Sequence, residues 1–247
     1  MAGEKAIFIT GAASGIGLAV ARLFSARGWQ VGLSDVNEAG LRETARAGVT
    51  VSTVDLTDRA AAAAWIASIE AAVGGPVAIL VNNAGGVAGQ VHRPLEEVSD
   101  ADWDRIFAVN LGAAFALSRA AAPGMKRAGR GRIVNISSGA GLQPSLTGIQ
   151  AYACAKHAVV GLTRQLAHEL GAHGITVNSV APGFIPSNPD SVRQWQGYGE
   201  DGQRALVDRI ALRRLGTPDD IANAVIFFAS PLAEFINGEI LSVNGGR

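Results

Sequence analysis

The chain has a single cysteine in 247 residues, Cys154. No internal disulfide can form, and a small disulfide-stapled secreted scaffold is excluded. Charge of one sign is also missing. Lys and Arg number 21, Asp and Glu 21, for a formal net charge of +0. Binders of nucleic acid usually carry a basic excess, so no nucleic-acid partner is expected. Long apolar runs are lacking. The stretch 106–117 is interrupted by Asn110, and residues 6–9 are too few for the apolar region of a secretory signal. The expectation is a cytoplasmic protein without a membrane partner. Histidine is scarce, at 4 residues. His168 and His173 lie five apart around Glu169, on different helix faces, so the H-E-x-x-H zinc geometry does not arise. His92 and His157 have no partners in sequence, and no metal is expected.

Small apolar residues are what the chain has in quantity. Hydrophobic residues make up 48% and charged residues 17%, which excludes a disordered polymer. The 31 glycines let helices lie close to a sheet and let backbone approach a ligand. The length suits one large α/β domain and is too short for two substantial ones. Short β-branched or apolar runs recur at 5–10, 30–34, 49–54, 77–81, 132–136, 175–180 and 239–243. Longer amphipathic segments lie between most of them, at 16–27, 59–73, 102–121, 152–170 and 218–228. Several open with helix-start signals: Asp58, Ser99-Asp100 and Thr217-Pro218. This alternation predicts an α/β fold, one doubly wound domain over 1–247 with about seven parallel strands and helices on both faces. The irregular stretch 184–202 holds Pro186, Pro189 and a glycine-bearing tip. Such a long loop in a compact domain is expected to be a lid or a disordered segment. We place a substrate lid within about 184–212.

Two ends of the pattern carry chemistry. After the first strand comes Thr10-Gly11-Ala12-Ala13-Ser14-Gly15-Ile16-Gly17. Missing side chains allow a tight turn and let a pyrophosphate reach N–H groups at a helix N-terminus. The spacing is G-x-x-x-G-x-G rather than the general dinucleotide fingerprint G-x-G-x-x-G, and the same turn would serve with no ligand at all. Asp35 ends the second strand, 18 residues past Gly17. A carboxylate there accepts hydrogen bonds from ribose hydroxyls and repels the 2′-phosphate of NADP, so NAD is expected. A solvated Asp capping the next helix is the alternative. Further along, Tyr152-Ala153-Cys154-Ala155-Lys156 opens a helix. Positions i and i+4 share a face, so phenol and ammonium project together. The ammonium, with a cationic nicotinamide, is expected to favour the phenolate and lower the tyrosine pKa. Upstream, Ser137 and Ser138 stand where a strand ends, the place where open α/β sheets bind ligands.

In this order the motifs resemble the short-chain dehydrogenases/reductases, the single-domain, NAD(P)-dependent, Tyr-x-x-x-Lys type. The resemblance runs from Thr10 to Gly246. It includes the glycine turn, Asp55 after the third strand, Asn82-Asn83-Ala84-Gly85 after the fourth, Asn110, Ser138, Tyr152 with Lys156, Pro182-Gly183 and the tail Asn244-Gly245-Gly246. The resemblance implies a Rossmann-like fold and a set of roles. Tyr152 is the implied general acid/base, Lys156 its partner at the nicotinamide ribose, Ser138 the group that polarises the carbonyl, and Asn110 the holder of a water that links Lys156 to solvent. The implied cofactor contacts are Gly11, Ser14, Gly15, Ile16, Gly17, Asp35, Asp55, Leu56, Asn82, Ala84, Gly85, Tyr152, Lys156, Pro182, Gly183, Ile185 and Ser187. A substrate pocket is expected from Gly139, Gln143, Ile149, Gln150, Phe184 and Trp195.

Departures from the family pattern are few. Ser138 to Tyr152 spans 14 residues, one more than usual, with the insertion inside 142–151, and Ser187 replaces a common Thr. Cys154, about 200° round the helix from Tyr152, is expected to be a buried small residue facing away from the chemistry. Lys126, Arg127, Arg130 and Arg132 form a basic run, expected as a solvated connection although it could greet an acidic carrier. The expected activity is NAD-linked interconversion of a secondary alcohol, polyol or hydroxy compound and its ketone. The alternatives are a 3-oxoacyl-carrier reductase and a non-catalytic dinucleotide sensor. Ile106, Ala113, Ala114 and Leu117, with Ala158, Val159, Gly161, Leu162 and Leu166, suggest helix faces that pair two-fold. Phe227, Phe228 and Phe235 suggest a second interface. A homotetramer is expected, with a dimer as the simpler form.

Overall fold

The computed structural model describes residues 6–45 and 47–247. Lys5, assigned above to the first strand, lies outside them. The strands are β1 (Ala6–Thr10), β2 (Gln30–Asp35), β3 (Val49–Thr53), β4 (Ile79–Asn82), β5 (Gly131–Ile136), β6 (Ile175–Pro182) and β7 (Ile240–Val243). They form one seven-stranded sheet in the order β3-β2-β1-β4-β5-β6-β7, with every pairing parallel. The order reverses between β1 and β4. Ligands of open α/β sheets bind at such a switch point, beyond the carboxyl ends of the strands.

Alternation along β1 shows how the layers form. Ile7 and Ile9 enter a core with Val20 and Phe24 of α1 (Gly15–Ser25) and Val225 and Phe228 of α9 (Pro218–Ala229). Ala6 and Phe8 face the other way, into a core with Trp65 and Ile66 of α3 (Arg59–Val73), Leu117 and Met125 of α5 (Ala113–Ala128), and Ala167 of α6 (Gln150–Leu170). Both sheet faces are covered, and β1 is buried along its whole length. Hence its run is continuously apolar rather than alternating.

The segment expected as one helix over 102–121 is α4 (Asp100–Phe107), a π-helical turn at Ala108–Gly112 and α5. α5 continues past Pro123 because Gly124 and Met125 are buried there. Among the described residues, the run 100–128 is long and apolar enough by length and composition to cross a membrane, but Ala113, Ala116, Leu117, Ala121 and Met125 belong to the core. Ile106, Ala113, Ala114 and Leu117, expected on an interface between subunits, are likewise buried within the chain, as are Val159 and Phe228. The stretch 184–202 is irregular only as far as Asn188; beyond it lie α7 (Pro189–Gly197) and α8 (Gly199–Asp208). A capping box starts α7: the Ser191 N–H donates to Asn188 Oδ1 at 2.9 Å, and the Asn188 N–H donates to Ser191 Oγ at 3.1 Å. Pro189 occupies a first-turn position, where its missing N–H removes nothing.

Candidate active site

The glycine turn between β1 and α1 is held by two residues. The Thr10 hydroxyl accepts the N–H groups of Asn83 at 3.0 Å and Ala84 at 2.9 Å. The Asn83 amide donates to the carbonyls of Thr10 at 2.9 Å and Gly11 at 3.0 Å. The loop after β4 is thereby locked to the loop after β1 across the switch point. Gly11 and Gly15 have φ of +64° and +57°, and a side chain at Gly17 would sit 2.2 Å from the Gly11 carbonyl oxygen. Ser14 precedes α1 as its N-cap, yet its hydroxyl makes no capping bond. Backbone is therefore bare at the positive end of a helix, and the Ser14 hydroxyl is not spent on the helix. These residues fit the pyrophosphate of a dinucleotide.

Asp35 stands beside this cradle. Its carboxylate accepts the Ala13 N–H at 3.0 Å and the Asn37 N–H at 3.0 Å. It is not the cap of the following helix; Asn37 caps α2 (Glu38–Arg42). Asp55 is exposed and bound by Thr57, whose hydroxyl and N–H donate to Oδ1 at 2.7 and 2.9 Å. These bonds hold its carboxyl below the usual carboxylate range. Leu56 is buried in the core, so any cofactor contact it makes is through its backbone. Asn82 departs from expectation. Its amide points into the sheet, donating to Asn135 Oδ1 at 2.8 Å and Ser118 Oγ at 3.1 Å, while its neighbour Asn83 meets the turn. Thr10 and Asn83 are absent from the expected contacts although they hold the turn, and Asn135 is a buried partner of Asn82 and Thr163. The signal was available, since Thr10 and Asn83 lie inside the two motifs.

The second group assembles where β5 ends. Ser137 turns inward and its hydroxyl donates to the Val180 carbonyl at 3.3 Å. Ser138 turns to Tyr152, and the two side chains share a hydrogen bond. Their approach depends on Gly141, where a Cβ would lie 2.6 Å from the Lys156 carbonyl oxygen. Lys156 is buried, at 4% exposure, and its Nζ donates to the Ile136 carbonyl at 3.0 Å. That nitrogen stands 5.8 Å from the Tyr152 ring centroid. Burial pushes Lys156 down to about 8. Burial pushes Tyr152 up, and the Ser138 bond offsets part of the rise. The expected lowering calls for a cationic nicotinamide beside the ammonium; in the protein alone, desolvation of the phenolate sets the direction.

Asn110 closes the group from the π-turn. Its amide donates to the carbonyls of Gly86 at 2.8 Å and Ile106 at 2.9 Å, and its oxygen accepts the Gly86 N–H at 2.9 Å. The local bond to Ile106 and the distant pair to Gly86 coexist. Gly85, at φ +149°, has its missing Cβ position 2.5 Å from Asn110 Oδ1 and 3.4 Å from Lys156 Nζ. Gly85, Asn110 and Lys156 therefore meet at one point.

The segment that follows β6 bridges the two groups. The Pro182 carbonyl oxygen lies 3.6 Å from where a Gly139 side chain would begin, and Ser187 Oγ lies 3.0 Å from the corresponding point of Gly15. Ile185 is buried in the core. The tail holds both ends of the segment 184–212, expected as a lid: the Gly183 N–H donates to the Val243 carbonyl at 2.9 Å, and the Leu212 N–H to the Gly245 carbonyl at 3.1 Å. Of the expected pocket residues, Gln143 is exposed near Gly139. Gln150 donates to the Arg93 carbonyl at 3.1 Å. Ile149 is buried with Ile106, Ala151 and Ala155, Tyr152 packs on that cluster, and Ile149 and Gln150 also line a small cavity with Gln90, Arg93 and Asp102. Cys154 is exposed rather than buried, because the flank of α6 two residues from Tyr152 faces outward. In the basic run Lys126 and Arg127 are exposed, whereas Arg132 donates to the carbonyls of Gly131 and Gly174. Among the described residues no group of three metal-ligating side chains forms.

Comparison with known proteins fits this arrangement. A family described as enoyl-(acyl carrier protein) reductase matches residues 11–247. The chain is 36% identical to 3-oxoacyl-[acyl-carrier-protein] reductase of Vibrio harveyi, over 98% of this chain and 96% of that protein. It is 40% identical to 2-(S)-hydroxypropyl-CoM dehydrogenase 3 of Xanthobacter autotrophicus, over 98% and 96%. Among solved structures it resembles levodione reductase, with a TM-score of 0.90, 30% identity, and coverage of 100% of this chain and 98% of that one.

Proposed function

Since the chain belongs to the short-chain dehydrogenase/reductase family, a family of oxidoreductases that use a nicotinamide cofactor on small molecules, we propose that it is an NAD-dependent secondary alcohol dehydrogenase/ketoreductase. One observation carries the reading: Ser138, Tyr152 and Lys156 come together at the end of β5, beside a glycine cradle flanked by the carboxylate of Asp35. Gly11, Ser14, Gly15 and Gly17 would hold the pyrophosphate, with Ile16 beside them in α1. Asp35 would take the adenosine ribose. Asp55, Leu56 and Ala84 would border the adenine side. Lys156, with Gly85, Pro182, Gly183 and Ser187, would hold the nicotinamide end. When bound, the cofactor supplies or accepts the hydride and, oxidised, brings a positive ring to the phenol.

The chain's own residues manage the proton. Ser138 donates to the substrate oxygen and orients it. Tyr152, a phenol protonated at neutral pH and held further so by burial, gives its proton to that oxygen as the ketone becomes an alcohol. In the reverse direction Tyr152 must first lose its proton, so oxidation rises with pH. Asn110 fixes the Gly86 peptide and thereby the floor beneath Lys156. Apolar surface on the β7 edge and on α5 supports a homotetramer, and the single cysteine suits a reducing, cytoplasmic setting.

Steady-state kinetics over a panel of secondary alcohols test the proposal, with NAD and NADP compared on each. NAD should be preferred by about tenfold or more, and Asp35→Ser should narrow the gap by removing the repelling charge. Tyr152→Phe should abolish turnover and leave NAD binding intact. Equal efficiency with both cofactors would overturn the NAD assignment. The second reading, a 3-oxoacyl-carrier reductase, is favoured by the Vibrio relative and disfavoured by Asp35. Preferential reduction of acetoacetyl-CoA with NADPH would establish it.

A further inference from the structure

We propose that the site is built for a substrate bearing an aromatic or comparably flat apolar ring next to the reacting carbon, and that Phe184, Trp195 and Tyr198 form the wall that receives it. The inference rests on the ketoreductase reading and narrows its substrate class.

The three rings form a closed triad in the lid. Phe184 lies 6.0 Å from Trp195 and 5.8 Å from Tyr198, centroid to centroid, and Trp195 meets Tyr198 edge-on at 6.5 Å. Such spacings are those of favourable aromatic pairs. The triad stands near the chemistry. Phe184 follows Pro182 by two residues, and the Pro182 carbonyl is in van der Waals reach of Gly139, the neighbour of Ser138. Ile185 is buried in the core, and alternation along an extended segment turns Phe184 the other way.

Polar features do not explain the triad. α7 buries none of its residues completely, so Trp195 is not its route into the core. All three stay half-buried. The Tyr198 hydroxyl accepts from the Gln194 amide at 2.6 Å, and the Trp195 carbonyl accepts from Gln203 at 2.9 Å. The Tyr198 hydroxyl is thus engaged by its own helix segment, and all three rings keep part of their surface open. Two of the cations on α7 and α8 are paired, Arg193 with Asp190 and Arg204 with Asp201 at 3.4 Å, while Arg209, which follows α8, is exposed. Neither of the paired two is held ready for a substrate carboxylate or phosphate. A neutral ring matches what remains, since ligand sites combine apolar and aromatic walls with a few placed polar groups.

The experiment compares oxidation of 1-phenylethanol with that of 2-butanol by the whole protein, using whichever of NAD and NADP it accepts. The ratio of kcat/KM should favour the aryl alcohol by about tenfold or more. Trp195→Phe should keep most of that ratio, and Trp195→Leu and Phe184→Leu should each bring it down severalfold. A wild-type ratio near one, or a ratio unmoved in both leucine variants, would overturn the inference while leaving the ketoreductase reading standing. Calorimetry of acetophenone binding decides the matter separately from turnover. Binding weakened severalfold in Trp195→Leu, with correct folding by circular dichroism, supports the wall even if neither alcohol is oxidised and the ketoreductase reading fails. No difference in acetophenone binding between wild type and variant counts against the wall.

Discussion

At the scale of single residues, the buried lysine is the group with the largest consequence. Lys156 falls to about 8 from an ordinary 10.5 because burial penalises its charged form. Between those values the unfolded chain still holds a proton that the native chain has released. Stability therefore rises with pH across that window, by about 3 kcal/mol at most. Below it both states carry the proton, and above it neither does. Tyr152 has the opposite sign: its raised value adds stability that is present below about pH 10 and lost above it. Urea midpoints between pH 7.5 and 10 should rise in the wild type, and Lys156→Met should flatten the rise. A parallel profile in the variant would show that Lys156 is not the group responsible. The same titration sets the order of deprotonation at the site, with the amine first and the phenol second.

At the scale of elements, some of the fold was open to reading in the sequence and some was not. Helix α3 was found to the residue, because Asp58 accepts the N–H groups of Ala60 and Ala61 and Gly74 ends it at φ +72°. Those end signals are local, and local signals survive folding. The helices of the lid were hidden for a related reason. Pro189 stands among Pro186 and a glycine-bearing tip that suggest a loop, yet one residue after Asn188 it begins a helix. Asn82 and Asn83 show a limit of another kind. They sit side by side in one motif, yet one serves the sheet interior and the other the glycine turn, and only the pleat of β4 separates them. The position of Cys154 depended on what covers the outer flank of α6, which no pattern within α6 records. The tail offers a test at this scale. Gly245 has φ +69°, and a Cβ there would lie 2.6 Å from Ile210 at the lid's exit. Gly245→Val should therefore displace the lid's anchorage rather than the chemistry. KM should rise severalfold, kcat at saturation should stay near wild type, and the melting temperature should fall by about 4 °C or less, corresponding to about 1 kcal/mol. A loss confined to kcat would contradict the tail's role.

At the scale of the whole molecule, the sheet has an open edge. β7 is its last strand, and Leu241 on it is 39% exposed. Leu232 and Phe235 nearby are exposed at 81% and 104%. Unpaired edges and exposed large apolar side chains are liabilities that natural proteins cover. On α5, Phe115 is also exposed, with Arg119 over its ring at 5.2 Å. These two surfaces, rather than the internally packed residues of α4 and α5, are where subunits should meet. Multi-angle light scattering at micromolar concentration should give a homotetramer, and Phe235→Glu with Leu241→Glu should reduce it to a dimer. A wild-type monomer would show that both surfaces are tolerated in water.

The outward flank of α6 makes this protein convenient to watch. Cys154 is its one thiol, it is exposed, and it lies two residues from Tyr152 and two from Lys156 on the same rigid helix. A maleimide fluorophore placed there would ride on the catalytic helix while standing outside the reaction, with no competing cysteine to remove first. Paired with an acceptor dye introduced on α7, it would turn any movement of α7 relative to α6 into a change in energy transfer. Ordinarily such a reporter is engineered into an enzyme; this chain already carries its anchor point.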